Sequence, residues 1–370
     1  MPGAICHLTT AHPPDDVRIY QKEARSLAEA GFDVTLVAPA LKEARLEGVR
    51  WLRLRRPRGR LDRFLHLTPL AYRAALDSGA EVVHLHDPEL IFVGLALKLR
   101  GRKVVWDAHE DLPRQILSKP WLHPLLRRPV AWEVDVLERT ITRAFDAVVA
   151  ATPAIARRFP RDRVHTVQNY PILSQMLAPH PAPYRNRPPH VAYIGGISAI
   201  RGAREMVQAM EIAGRRWGAR LLLAGRFVPE SLEEELRQLP GWRYVDYVGW
   251  LSREEVAEAL GRVRAGLVVL HPEPNHVNAQ PNKIFEYMAA ELPVIASDFP
   301  LWRDLVAASG AGLLVDPLDP EAIAGAIGQV LEQPEEAEVM GRHGGKAVRE
   351  RYNWDREKEK LLVLYEELLS

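Results

Sequence analysis

A chain of 370 residues is long enough for two domains that each bury their own core. Apolar residues make up 47% and charged residues 26%, with a net charge of +1, which fits an ordinary globular protein and gives no basic excess for general nucleic-acid binding. The single cysteine, Cys6, excludes an intramolecular disulfide and a cysteine-rich metal site, and with neither a leader pattern nor a long uncharged apolar run in view the expected location is cytoplasmic.

Short apolar runs alternate with longer amphipathic ones. The first half predicts strands at Ala4–Thr9, Asp33–Ala38, Val49–Leu54, Glu81–Leu85, Lys103–Trp106, Ala147–Ala150 and Arg163–Val167, with helices such as Asp16–Ala30 and Pro88–Leu99 between them. Strands alternating with helices predict a parallel, doubly wound sheet, whose ligands approach beyond the strand carboxyl ends. The polar loop His12–Arg18 is at such an end, with Asp16 placed to cap a helix and Arg18 placed to hold an anionic acceptor. Asp87 before Pro88 reads as a helix start, and His109, after the Lys103–Trp106 strand, reads as a side chain in the binding region.

Residues 50–63 hold seven arginines, predicted as a strand with one basic face and then a basic loop. Together with 115–128, which mixes Trp, Leu and basic residues, they suit contact with an anionic membrane. From Asn169 to His190 six prolines interrupt the rhythm and predict a linker. Strands then resume at Val191–Ile194, Arg220–Leu223, Arg243–Tyr247, Gly266–Leu270, Val294–Ala296 and Gly312–Val315, and Ser252 with Glu255 forms a capping box.

Two segments of this second half carry chemistry. After the strand ending at Ile194, Gly195 and Gly196 let a ligand approach the backbone, and Arg201 follows near a helix start. In 271–298 an apolar strand enters a polar loop, then a helix opening Pro281-Asn282-Lys283 with Glu286 one turn in. Free backbone N–H groups at that helix start, together with the Lys283 charge, suit a phosphate. Asn282 and Glu286 share a face, and a carboxylate there can accept from ribose hydroxyls. Read alone, the same pattern also fits an ordinary βα unit.

The segment from Asn278 through Glu286 to Ser297 resembles the donor-site signature of retaining glycosyltransferases of family four, in a variant similar to a bacterial surface-polysaccharide subgroup. The resemblance implies the GT-B fold, two facing Rossmann-like domains: 1–170 as acceptor domain, 171–190 as linker, 191–352 as donor domain and 353–370 as a helix packing back on the first. It implies sugar transfer, with retention, from a UDP-, GDP- or other nucleoside-diphosphate sugar to a saccharide or lipid-linked acceptor, in surface polysaccharide or glycolipid synthesis at the inner face of the plasma membrane. It implies that Gly195, Gly196 and Arg201 hold the diphosphate with Asn282 and Lys283, that Glu286 binds the ribose, that Arg226 and the turn at Gly249-Trp250 lie by the base, and that His109 and Asn278 contact the transferred sugar. Asn278 stands where the family carries its first Glu, Gly196 where many members carry Arg, and the His12–Arg18 loop lacks the usual Gly-Gly turn. No Asp-x-Asp pair occurs, so no cofactor or metal is expected at the diphosphate. A sugar-nucleotide 2-epimerase of the same fold and a non-catalytic nucleotide-sugar-binding protein are the alternatives.

Overall fold

Leu-, Val- and Ile-rich runs form thirteen strands among the described residues of the computed structural model, which are 3–40, 46–117, 119, 122–178 and 181–370. Contacts divide the chain into two units: residues up to Asn169 together with Trp354–Ser370, and Tyr170–Asn353.

The first unit holds β1 (Ala4–Leu8), β2 (Asp33–Pro39), β3 (Arg50–Leu54), β4 (Val82–Leu85), β5 (Lys103–Ala108), β6 (Ala147–Ala150) and β7 (Val164–Thr166). They form one parallel sheet in the order β3-β2-β1-β4-β5-β6-β7, so the winding reverses between β1 and β4. One face carries Cys6, Leu8, Val83, Leu85, Val104 and Trp106 into an apolar core with the helices Thr68–Asp77 and Ile91–Lys98. The opposite face takes the alternate residues, as the two-residue period of a strand requires.

The second unit holds β8 (His190–Ile194), β9 (Arg220–Ala224), β10 (Val245–Gly249), β11 (Ala265–Val268), β12 (Val294–Ser297) and β13 (Gly312–Val315), parallel in the order β10-β9-β8-β11-β12-β13. Its winding reverses between β8 and β11. The helix Arg253–Leu260 starts with the expected capping box, both Ser252 and Glu255 making their reciprocal bonds.

Three local differences from the sequence expectations have physical causes. The β5 strand continues past Trp106 through Asp107, because Asp107 pairs with Val149 of β6 and finds a buried cation on its own face. The basic segment after β3 is a loop only to Gly59; from Arg60 the chain is helical to Asp77, since Leu67, Ala71 and Ala75 recur at helical spacing and are buried. Residues 170–178 and 181–189 hold no strand and only two short helical turns, but belong to the second unit. Tyr170 packs edge-on against Phe285, the Tyr184 hydroxyl donates to Arg264 O at 2.7 Å, and Arg187 Nη1 donates to Val263 O at 3.0 Å. Proline signals irregular backbone there, while buried aromatic side chains decide where it lies; Pro179 and His180 fall outside the described residues, as do Ser118, Pro120 and Trp121 of the 115–128 segment.

The final helix, Trp354–Leu369, packs into the first unit. Trp354 Nε1 donates to Ser26 Oγ at 2.9 Å, and the Tyr365 hydroxyl lies 2.8 Å from His84 Nδ1.

Candidate functional site

In the second unit, three neighbouring strands each end in a glycine with positive φ: Gly195 after β8 (135°), Gly225 after β9 (135°) and Gly249 at the end of β10 (75°). The backbones come very close there. Gly195 N donates to Ala224 O at 2.8 Å, Gly225 N donates to Gly249 O at 2.7 Å, and a Cβ on Gly225 would lie 1.9 Å from Gly195 O. Only glycine fits such a crossing, and the result is a shallow backbone floor beyond the strand ends.

Lys283 lies across this floor. A Cβ on Gly195 would fall 2.5 Å from Lys283 Nζ, and Nζ sits 5.4 Å from the Tyr193 ring centroid. The Tyr193 hydroxyl and Arg201 Nη1 both donate to Gly196 O, at 2.8 and 3.3 Å. Burial pulls the Lys283 amine down to about 8, the neighbouring Arg201 charge adds to this, and Glu286 opposes it. Two cations held together in a partly enclosed position, with no carboxylate of the described residues bonded to Nζ, form an electrostatic receptor for a polyanion.

The helix Asn282–Ala289 is preceded by Pro281 as its cap residue rather than starting at it, and no side chain caps its first turn. Ile284 N donates back to Pro281 O at 3.1 Å, which leaves the N–H groups of Asn282 and Lys283 at the helix start. Tyr287 fixes the helix to β8, its hydroxyl accepting from Ile194 N at 3.1 Å, with the ring packed on Gly266. Glu286, half-buried, receives Arg253 Nη1 at 3.2 Å. The Arg226 guanidinium stacks over Trp250, 5.3 Å from the ring centroid, both of them exposed.

The loop after β11 is pinned by Trp302 Nε1, which donates to Ala279 O at 2.8 Å, and by His276 Nδ1, 3.1 Å from His271 O. Asn278 is exposed on this loop, and Gln280 Oε1 is buried without a hydrogen-bond partner. Gly195, Gly196, Arg201, Asn282, Lys283 and Glu286 thus converge at the ends of β8 and the Asn282–Ala289 helix, whereas Asn278 is out on the loop and Arg226 is on the next turn. Arg253, Tyr193 and Gln280 are neighbours that the sequence reading did not single out. Arg253 could have been suspected, since it follows the Ser252 cap and begins a helix.

This packing gives a direct prediction. Gly195→Ala would strain the backbone at φ 135° and push Lys283 off the floor. The expected result is at least a tenfold loss in nucleotide affinity, read by calorimetry, with the lost charge contact worth about 1.5–3 kcal/mol.

In the first unit, the carboxyl ends of β1, β4 and β5 bring His7, His84, His86, Asp107 and His109 together on one sheet face. His86 Nδ1 is 2.9 Å from His109 Nε2, and His86 Nε2 is 2.9 Å from His7 Nδ1, a chain of three imidazoles running inward from the one partly exposed member, His109. Asp107 Oδ2 lies 3.1 Å from His109 Nε2. Burial keeps His86 at about 4 against the pull of Asp107, and holds His7 and His84 well below the usual imidazole range, so these three are neutral.

Arg18 is placed differently from the sequence expectation. It is 5% exposed, and its guanidinium donates twice to Asp107, at 3.1 and 3.0 Å, and once to Val167 O at 3.1 Å, with Glu23 3.0 Å from Nε. It lies in the interior as a counter-ion to Asp107, where the sequence reading expected it to face an anionic acceptor. Asp16 caps the following helix, accepting from Arg18 N and Ile19 N, both at 2.9 Å. Burial alone would raise the Asp107 carboxyl, but Arg18 and then His109 hold it well below the usual range. Glu23 is pushed well above its range by burial and then by Asp107, so Asp107 carries the negative charge opposite Arg18. Asp87 makes no helix cap with its side chain; instead Oδ2 accepts from Thr9 Oγ1, Thr10 N and Ala11 N, shaping the loop after β1.

Comparison with known proteins bears on both units. Residues 188–333 match the family of glycosyl transferases group 1, and residues 18–172 match the glycosyl transferase 4-like domain. Among curated proteins the chain is 27% identical over 187 residues to D-inositol 3-phosphate glycosyltransferase of Corynebacterium urealyticum, covering 48% of this chain and 43% of that protein. It is 21% identical over 300 residues to the MMP alpha-(1->4)-mannosyltransferase of Mycolicibacterium hassiacum, covering 77% and 71%. The alignment with the first of these spans less than half of that relative's length. Among solved structures it resembles sucrose-phosphate synthase of Thermosynechococcus elongatus (TM-score 0.77, 20% identity, 100% of this chain and 99% of that one). It also resembles HepE of Anabaena, solved with UDP and glucose (TM-score 0.74, 13% identity, 99% and 100%). The fold is therefore GT-B, built from two Rossmann-like units.

Proposed function

We propose, from the premise that this chain belongs to the group 1 glycosyltransferases with a 4-like first domain, that it moves a sugar from a nucleoside-diphosphate sugar to an acceptor hydroxyl with retention of configuration. The observation that carries this reading is the Lys283–Arg201 pair over the Gly195 floor beside a helix start with no side-chain cap. Negative charge grows on the leaving diphosphate as the glycosidic bond breaks. Two fixed cations and oriented N–H groups already in place stabilise it without reorganising, usually the largest catalytic contribution. No metal is required at the diphosphate in this reading, so transfer should continue in excess EDTA.

Glu286 receives the ribose hydroxyls, and Arg253, 3.2 Å away, orients its carboxylate until they arrive. Arg226 and Trp250 lie by the base, and His109 and Asn278 contact the transferred sugar. An amide at 278 donates as well as accepts, so the preferred sugar differs from that of relatives carrying Glu there. One relative is named as a D-inositol 3-phosphate glycosyltransferase, and HepE was solved with UDP and glucose and with UDP-glucose. On that basis the donor is a UDP-, GDP- or similar sugar and the acceptor a saccharide or lipid-linked saccharide. Assembly of a surface polysaccharide or glycolipid at the inner face of the plasma membrane is the setting we assign.

The test is a thermal-shift panel of UDP, GDP, ADP, TDP and CDP with wild type and Glu286→Ala. A nucleotide at a hundredfold excess over its Kd adds about 2.7 kcal/mol of stability. One nucleotide should stabilise the wild type and stabilise Glu286→Ala less. A folded protein that responds to none of them removes the reading. Loss of sugar nucleotide in the absence of acceptor, without hydrolysis, would replace transfer by epimerisation.

A further inference from the structure

Two helical elements of the first unit carry a row of apolar side chains on their solvent side. In Pro124–Ile141 the residues Leu125, Pro129, Trp132 and Val136 recur at four-, three- and four-residue steps and so form one stripe, and that stripe faces solvent: Leu125 is 79% exposed and Trp132 69%. The buried side of the same helix carries a carboxylate, Glu138, which accepts from Trp106 Nε1 at 3.0 Å and pairs with Arg158. In the helical run from Arg60, Leu61, Phe64 and Leu65 stand three and four apart and are likewise exposed, Leu61 at 78%, while Leu67 and Ala71 take the core side. Both elements pack against the helix Ile91–Lys98, which lies between them on the same sheet face and exposes Phe92. The two stripes therefore belong to one layer.

We propose that this helical layer of the first unit is a docking surface for an anionic lipid bilayer. Exposed large apolar side chains grouped in rows point to an interaction surface. The occupant follows from charge and shape. Arg56, Arg58 and Arg60 stand exposed at the start of the first stripe, and Arg128 stands exposed beside Leu125 and Leu126 at the start of the second. Guanidinium groups bordering protruding Leu, Phe and Trp side chains match the boundary between acyl chains and anionic headgroups. The apolar side chains project from convex helices instead of lining a groove, which suits insertion into a fluid surface better than the fitting of a folded partner. The attraction from the arginines acts within about 8 Å at physiological ionic strength, so it requires the surface to lie on the membrane. The inference extends the lipid-linked acceptor proposed above, but its test reads binding and not transfer, so either can fail alone.

The full chain is sedimented with vesicles of pure phosphatidylcholine and of phosphatidylcholine with phosphatidylglycerol. Binding should appear with the anionic vesicles and weaken as salt rises. The pairs Leu125→Ser with Trp132→Ser, and Phe64→Ser with Leu65→Ser, should each lower the partition coefficient roughly tenfold or more, as loss of several buried apolar groups dictates. Arg56→Ser with Arg58→Ser should flatten the salt dependence. Unchanged melting temperature and an unchanged nucleotide-induced shift show that these variants remain folded. Equal sedimentation with both vesicle types, or variants that bind like the wild type, overturns the proposal. So does a concentration-dependent dimer that the serine variants abolish, which would assign the layer to a second copy of this chain.

Discussion

Lys283→Met should lower kcat/KM for the donor by about 10²–10³-fold and at the same time make the folded protein more stable near pH 7. The two effects have one cause. The ammonium is half-buried beside the Arg201 charge, and its folded-state value is pulled from 10.5 to about 8. A lysine with a lowered value costs native stability while both folded and unfolded chains are protonated, that is below about pH 8. The cost fades as pH rises from about 8 towards 10.5, because there the unfolded chain holds the proton that the folded chain has released. Its upper size is about 3 kcal/mol, from 1.36 kcal/mol per unit. Methionine keeps the stem packed near Tyr193 and removes the charge, so the variant gains up to that amount at neutral pH and loses the diphosphate contact. Diphosphate binding favours the ammonium, so wild-type nucleotide affinity should fall as pH rises through about 8, with proton uptake on binding in that range, while the variant shows neither. Calorimetry in two buffers of different ionisation enthalpy reads the proton uptake, and thermal melts read the stability. A variant that binds nucleotide as tightly as the wild type would take Lys283 out of the donor site.

The parts of this site that were legible in the sequence are those whose function depends on the backbone. Gly195 is required by the crossing of two strand ends, and Lys283 stands on the first turn, with Glu286 one turn in, of a helix that the Pro281 boundary announces. The alternation of strands and helices likewise revealed both parallel sheets, because the period of apolar residues is a local property. What was not legible depends on partners far apart in sequence. Glu286 meets Arg253, thirty-three residues away, and Arg18 meets Asp107, eighty-nine residues away. His7 and His84 are single residues inside strands, and His86 follows β4 in a segment that reads as a turn and helix start. They come together only because β1, β4 and β5 are neighbours in register, which no single segment encodes. A charged residue in a polar loop ordinarily belongs at the surface, and that rule placed Arg18 wrongly. The helix Pro124–Ile141 defeats the amphipathic pattern in the same way, because its one buried carboxylate is satisfied by Trp106 and Arg158 of other elements.

Arg18→Ala should therefore act on folding and not on acceptor kinetics. Removing one partner of a buried pair leaves the other charge uncompensated, at a cost of about 3–5 kcal/mol. Here the orphan is Asp107, fully enclosed, with Glu23 beside it, three buried neutral imidazoles, and only the partly exposed His109 at 3.1 Å left to compensate it in part. Arg18→Lys should recover little, since a single ammonium cannot reproduce two parallel bonds to one carboxylate together with the bond to Val167 O. Arg18→Met combined with Asp107→Asn should recover more than either single change, because it removes both charges. The pH dependence has a definite sign. In the wild type Asp107 is depressed, so its stabilising share is complete above the unfolded carboxyl range and is lost as pH falls through the folded value. Without Arg18 the same carboxyl is raised by burial, so the variant regains stability as it protonates. The gap between wild type and Arg18→Ala should then be widest near neutrality and narrow on acidification. With two units in one chain a single unfolding transition cannot be assumed, so hydrogen exchange of the β1, β4 and β5 amides is the appropriate readout, with β8 and β9 as the internal control. Exchange unchanged in β1, β4 and β5, together with a raised acceptor KM, would return Arg18 to the role of a ligand-binding residue.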